Sequence, residues 1–489
     1  MKKLLNMNDI TIHMKKIHLI IGIIAIIILA VIGYFAFLQP GTTQINADAQ
    51  IVDANALTEK GVLKLDSKTQ DEDKGFFKSI ASDENSIFVN NSSILKLTNS
   101  IINKTGDTQS SGDDADFYGI NSAVLVKDQG QLNIENCEVN TNSKGSNGIF
   151  VTNTDSGQGQ GGMGGGATPD GGNGTAPEKP PEELKKDDNK ANETVANIKN
   201  VKITTHQDKS RGLDATFGGI INAENVIINT DGNSCAALAT DRGEGNVTVK
   251  NSVLNTGVSK ESGRGSPLMY STGNISVINS HGTSYVSQIA CIEGKNSISV
   301  ENSELVGFGE GNRKDGDNYV DLAGIFIYQS MSGDADVGTS TFMCKNSKLT
   351  VDSSSKYYDS IPMFHVTNTK ANIVLESSEF NFGSGTLFDI SGQSQWGNVG
   401  SNGGDVNLTA INEKLSGNII VDSISSLDFT LKSTTFDGAI NSTGNTTVVV
   451  ENGSTWSLTG DSNVSSLENS GTINLNGHKL LVNGVEYKG

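Results

Sequence analysis

Between residues 210 and 295 the chain places charged and aromatic side chains in a few short phrases. Arg211 and Asp214 stand in SRGLDATFGG, Asp241, Arg242 and Glu244 in ATDRGEG, Tyr270 in PLMYS, and Glu293 in CIEGK. Guanidinium forks beside carboxylates suit hydroxyl-rich sugars, and a group of carboxylates suits a calcium ion. The same residues could instead form an intramolecular ion-pair ladder bracing tight glycine turns, and the sequence leaves both readings open. Two other acidic groups, Asp113/Asp114/Asp116 and Asp315/Asp317/Asp321, carry oxygen ligands at loop spacing. The second is the candidate calcium set, although neither has the terminal Glu of the twelve-residue calcium loop.

What positions these residues is a repeat. ILKLTNSII (94–102), LNIENCEVNT (132–141), VTVKNSVLNT (247–256), ISVINSHGTS (275–284), ISVENSELVG (298–307) and FMCKNSKLTV (342–351) are variants of one phrase, with a looser copy, IVLESSEFNF, at 373–382. Self-similarity at such periods marks stacked supersecondary units, and alternation with a period of two makes them strands. The expected object is a β-solenoid in which each coil buries its apolar face on its neighbours. A second strand precedes each Asn-Ser strand, as in GLDAT (212–216), PLMYS (267–271) and GIFIY (324–328). Stacking coils on their Asn-Ser strands brings Asp241/Arg242, Thr272 and Glu293 to one edge of consecutive coils. The recurrent Asn itself reads as a structural amide ladder at the bend between strands.

Bulk composition agrees. With 56 glycines and only 19% charged residues in 489, the chain suits short strands between tight turns. A net charge of −19 argues against a nucleic-acid partner, since phosphate binding needs a basic field. The four cysteines, Cys137, Cys235, Cys291 and Cys344, show no C-x-x-C pairing. Cys344, and with it Cys291, reads as a small apolar residue pointing into the coil.

Near the N-terminus, Ile17–Leu38 is apolar apart from His18 and follows Lys2, Lys3, Lys15 and Lys16. At about 1.5 Å per residue it can cross a bilayer of about 30 Å, with the basic end inside. The expectation is an uncleaved signal anchor over 1–39, with the remainder outside the cell. A spacer and first cap follow at 40–79, and coils run from 80 to 489. Residues 155–190 hold four of the seven prolines and many glycines, and read as a disordered excursion from one coil.

Hydrolases built on right-handed β-helices place paired carboxylates in N-T-D and D-D motifs. Here Asn153-Thr154-Asp155 and Asp187-Asp188 are chance matches, because Asp187-Asp188 lies in the excursion and no R-x-K follows Ser280-His281-Gly282. The phrases SRGLDATFGG, SCAALATDRGEG, SPLMYSTG, IEGKNS, IYQSMSGDADVGTS and GSNGGDVNL (400–408) resemble a group of secreted, adhesin-like β-helix proteins of Gram-positive gut bacteria and methanogenic archaea. The resemblance covers residues 80–489. It implies an all-β, single-stranded, right-handed parallel β-helix of the pectate-lyase type, exposed at the cell surface with polysaccharide as ligand, and it carries over no catalytic residue. The expected protein is therefore a membrane-anchored extracellular β-helix acting as an adhesin or polysaccharide-binding protein. The alternatives are a polysaccharide lyase on the same scaffold, with Arg211 or Arg242 as base beside calcium, and a structural surface stalk.

Overall fold

The computed structural model describes residues 52–153 and 193–488. Each coil supplies three strand positions. Val124–Lys127 joins a sheet of sixteen strands, Gln131–Glu135 one of fourteen, and Glu138–Asn142 one of eleven. Strands in these sheets pair in parallel with their counterparts in the next coil, except for the final hairpin Leu480–Val482/Val485–Glu486. In the last coils a four-stranded parallel sheet, starting at Lys414–Ser416, takes the place of the eleven-stranded one. The described residues form a β-solenoid.

The Asn-Ser phrase has a backbone cause. Asn99, Asn136, Asn251, Asn279, Asn302 and Asn346 all adopt positive φ, between 48° and 55°. Asn tolerates this left-handed conformation better than other residues carrying a Cβ, so it can turn the chain from the fourteen-stranded sheet into the eleven-stranded one. Its amide also reaches the neighbouring coil: Asn200 donates to Asn136 at 3.1 Å and Asn346 to Asn302 at 3.3 Å. The serine that follows points inward. The backbone N–H groups of Ser252, Ser280 and Ser303 donate to the hydroxyls of Ser280, Ser303 and Ser347 at 3.0–3.1 Å, one coil to the next. Each of these hydroxyls also donates to the carbonyl two residues before it, as Ser280 does to Ile278 at 2.8 Å. A buried polar corner is thereby kept satisfied.

Alternation along each strand sends the other side chains into one continuous apolar core of Leu, Ile, Val and Phe. Each such buried side chain contributes about 1.5–3 kcal/mol of transfer free energy. Phe364 and Phe388 stack there in successive coils with centroids 4.5 Å apart. Cys344 is part of this core, as expected. Cys291 is not: Ala290 and Ile292 take the inward positions, and Cys291 faces outward beneath covering loops beside Phe326, Tyr328 and Trp396. All four cysteines are buried and free.

Coils start earlier than residue 80. Thr58–Gly61, Leu63–Asp66 and Thr69–Asp73 already form a coil that pairs in parallel with the next. Their outward positions are so heavily charged (TEKG, LKLD, TQDED) that the apolar alternation is faint. The excursion at 155–190 lies outside the described residues. The strands flanking it, Ile149–Thr152 and Val195–Lys199, keep residue-for-residue register with both neighbouring coils. The Ile17–Leu38 anchor also lies outside the described residues, among which no helix is long and apolar enough to cross a membrane.

Candidate functional site

The outer face of the sixteen-stranded sheet carries the chemistry. Register places Asp214 beside Ala239, Ala239 beside Tyr270, Tyr270 beside Cys291, Cys291 beside Phe326 and Phe326 beside His365. Most outward positions of a solenoid face water, but these are roofed by excursions between strands. A short helix α1 (Gly112–Tyr118) covers one end; it starts at Ser111, whose hydroxyl accepts from the Asp114 N–H at 3.2 Å. The hairpin Lys314–Asp315/Asn318–Tyr319 lies in a second excursion, and loops carrying Asp334 and Trp396 complete the roof. Between roof and sheet is a cavity of about 250 Å³. Its lining includes Asp116, Phe117, Arg211, Asp241, Tyr270, Arg313, Asp321, Phe326, Tyr328, Asp334 and Trp396.

Arg211 is the hub at one side. Its Nη1 donates to Asp116 Oδ1 at 2.6 Å, its Nη2 lies 2.7 Å from Asp241 Oδ2, and its Nε lies 3.8 Å from Asp214 Oδ2. Burial alone would lower its pKa, but the charges of Asp241, Asp116 and Asp214 hold the guanidinium more firmly protonated than usual. Burial would likewise raise Asp116, yet Arg211 and Lys209 bring it below the usual carboxylate range. The other two aspartates go the opposite way. Burial, then the charge of Asp241, pushes Asp214 well above that range. Burial pushes Asp241 up to about 6 against the pull of Arg211. Asp241 faces the cavity. Asp241 Oδ2 and Trp396 Nε1 are both buried without a hydrogen-bond partner. Asp241 Oδ2 is close to Arg211 but poorly aligned with it.

The neighbouring Arg242 lays its guanidinium 3.7 Å from the centroid of the Phe117 ring and pairs with Asp334. Deeper in the sheet, Glu293 is 1% exposed and accepts hydrogen bonds from Tyr270 at 2.7 Å, Tyr328 at 3.0 Å and the Ser330 hydroxyl. It fixes the two phenols that form part of the cavity floor. Tyr328 packs against Trp396 with ring centroids 4.4 Å apart. The ion-pair network and the cavity coexist: Arg211 braces the loops and also lines the open space.

Of the sequence candidates, Arg211, Asp214, Asp241, Arg242, Tyr270 and Glu293 come together here. Glu244 does not. It turns outward at a positive φ of 59° and pairs with Lys295 at 2.6 Å, so it belongs to the surface. Asp315, Asp317 and Asp321 do not gather into a calcium set, and among the described residues no group of three or more His, Cys, Asp or Glu side chains is placed to hold a metal ion. Asp321 instead closes its own loop by accepting the N–H groups of Asn312 and Arg313 at 2.8 and 3.0 Å, while Asp315 and Asp317 sit exposed on the hairpin. The Asp113/Asp114/Asp116 group splits in the same way: Asp116 goes to Arg211, and Asp114 accepts from the Ser111 hydroxyl. The sequence reading missed Phe117, Phe326, Tyr328, Asp334 and Trp396. Phe326 and Tyr328 sit in the uniformly apolar run GIFIY, whose outward positions cannot be told from its inward ones.

A scan against protein-family models finds no match to this chain, and a search of curated proteins finds none.

Proposed function

We propose that the protein is a glycan-binding, right-handed parallel β-helix, held at the cell surface by the Ile17–Leu38 segment as a single-pass anchor, and that the roofed cavity is its ligand site. Parallel strands linked by crossovers are overwhelmingly right-handed, which supports that hand. One observation carries the functional reading. An aromatic wall (Phe326, Tyr328, Trp396) faces buried charged groups (Arg211, Asp241) in a single cavity, and two of the buried polar atoms lack partners. Sugars present apolar ring faces and hydroxyl edges, and such a site answers both. An adhesin-like role follows from that binding.

The lyase alternative is less well supported. A base must give up its proton before it can take one from the sugar, and Arg211, ringed by three aspartates, is held protonated.

On a glycan array, the full chain should bind a restricted set of saccharides. Trp396→Ala should weaken that binding at least tenfold while the coil strands keep their amide-exchange protection, because Trp396 packs in the roof cluster and not in the coil core. Binding unaffected by Trp396→Ala would refute the assignment of the site. Release of reducing ends from the bound glycans during the same incubation would establish cleavage, and their absence would leave binding alone.

A further inference from the structure

We infer that the cavity recognises an amino sugar with a free amine, its ammonium against Asp241 and its ring face on Trp396 and Tyr328; this rests on the glycan-binding reading and names the sugar class. Charge is the first argument. The lining holds the carboxyls of Asp116, Asp241, Asp321 and Asp334 against the guanidiniums of Arg211 and Arg313. Around the lining, Arg211 meets Asp116 and Asp241, Lys209 also pairs with Asp116, Arg242 pairs with Asp334, and Arg313 lies over the Trp396 ring at 5.4 Å. The whole chain carries −19. A uronate or sulfated sugar would meet repulsion in approach, whereas a cation is drawn in.

The second argument is the unmet hydrogen-bonding capacity. Asp241 is 4% exposed, lines the cavity and has an Oδ2 accepting no hydrogen bond. That oxygen, beside Arg211 at 2.7 Å but without an aligned donor, calls for an N–H group more than for another acceptor. Trp396 is 6% exposed and its Nε1 has no acceptor, which a sugar hydroxyl oxygen would supply. An ammonium near the faces of Trp396 and Tyr328 would also gain cation–π attraction. The cavity, about 250 Å³ and partly open to solvent, has room for one sugar ring beneath the roof.

The test is calorimetric titration of the full chain, kept in neutral detergent at pH 7, with three probes: a glucosamine trimer, an N-acetylglucosamine trimer and a galacturonate trimer. The glucosamine trimer should bind at least tenfold more tightly than the acetylated one, and the galacturonate trimer should not bind. Asp241→Asn should remove most of that preference, leaving the acetylated trimer within about threefold. A second measurement needs no variant: lowering the pH from 7 to 5 protonates Asp241, so glucosamine-trimer affinity should fall at least fivefold while acetylated-trimer affinity holds. Equal binding of the free and acetylated trimers, or tighter binding of galacturonate, would overturn the amine specificity and leave glycan binding standing. Binding of none of the three would overturn it too, and the array with Trp396→Ala would then judge the broader reading separately.

Discussion

Replacing Arg211 with Met should cost about 3–5 kcal/mol of stability at pH 7.5 and much less at pH 4. The lower figure alone is a sizeable part of a domain's net stability, because removing one partner of a buried network strands the others. Here the stranded groups are Asp116, Asp214 and Asp241, all of them close to Arg211. The direction with pH follows from their shifts. Asp241 has a folded pKa of about 6, above its ordinary value of 3.8, so its contribution is fully present below 3.8 and is lost as pH rises through 6. Without the guanidinium all three carboxyls rise further, and that loss deepens and extends to higher pH. Asp116, held low in the native protein, changes the gap in the same sense, since its stabilising contribution exists only above 3.8. Urea unfolding of native protein and variant at both pH values measures the gap. A gap independent of pH would mean that the network is not electrostatic in origin.

The second large effect belongs to the coil core. Phe364 is fully buried, stacked on Phe388 at 4.5 Å and set edge-on to Phe342 and Phe380 at 5.6 Å each. Phe364→Ala should cost about 3–5 kcal/mol through lost transfer energy and the void it leaves. Solenoid coils touch mainly their neighbours, so the damage should stay local. Amide exchange should accelerate in the strands Thr339–Lys345, Phe364–Thr367 and Thr386–Ile390, while Ile101–Thr105 in a distant coil keeps its protection. Uniform acceleration along the chain would show that the solenoid unfolds as one cooperative unit. Because Phe364 lines the coil interior and not the roofed cavity, ligand binding well below the melting temperature should persist.

The two effects mirror what could be read from sequence. The coils were legible because one backbone requirement recurs at this turn, a positive φ that Asn accepts, and in several coils a buried serine hydroxyl follows it. Where Lys74 takes the positive φ and Gly75 follows it, and the strands before them are charged, neither the phrase nor the apolar alternation marks the coil. The strand-borne half of the site was legible for the same reason. Asp214, Asp241, Tyr270 and Glu293 sit at or next to repeating positions, so aligning coils aligns them. The roof is different. Asp116, Phe117, Asp334 and Trp396 come from excursions of unequal length between strands, which share no period with the coils or with each other. Only folding shows that they converge. Glu244 and the Asp315/Asp317/Asp321 group mark the opposite limit, since closeness in sequence within a turn did not bring their carboxylates into a common site.

The central claim is that the roofed cavity on the sixteen-stranded sheet is where the ligand sits. Crystals of the protein grown with a saturating glucosamine trimer test it most directly. The account predicts difference density for one sugar unit inside the cavity, its amine within hydrogen-bond distance of Asp241 and its ring against Trp396. Density for the saccharide elsewhere on the solenoid, with the cavity holding only water while calorimetry on the same sample shows saturation, would contradict it.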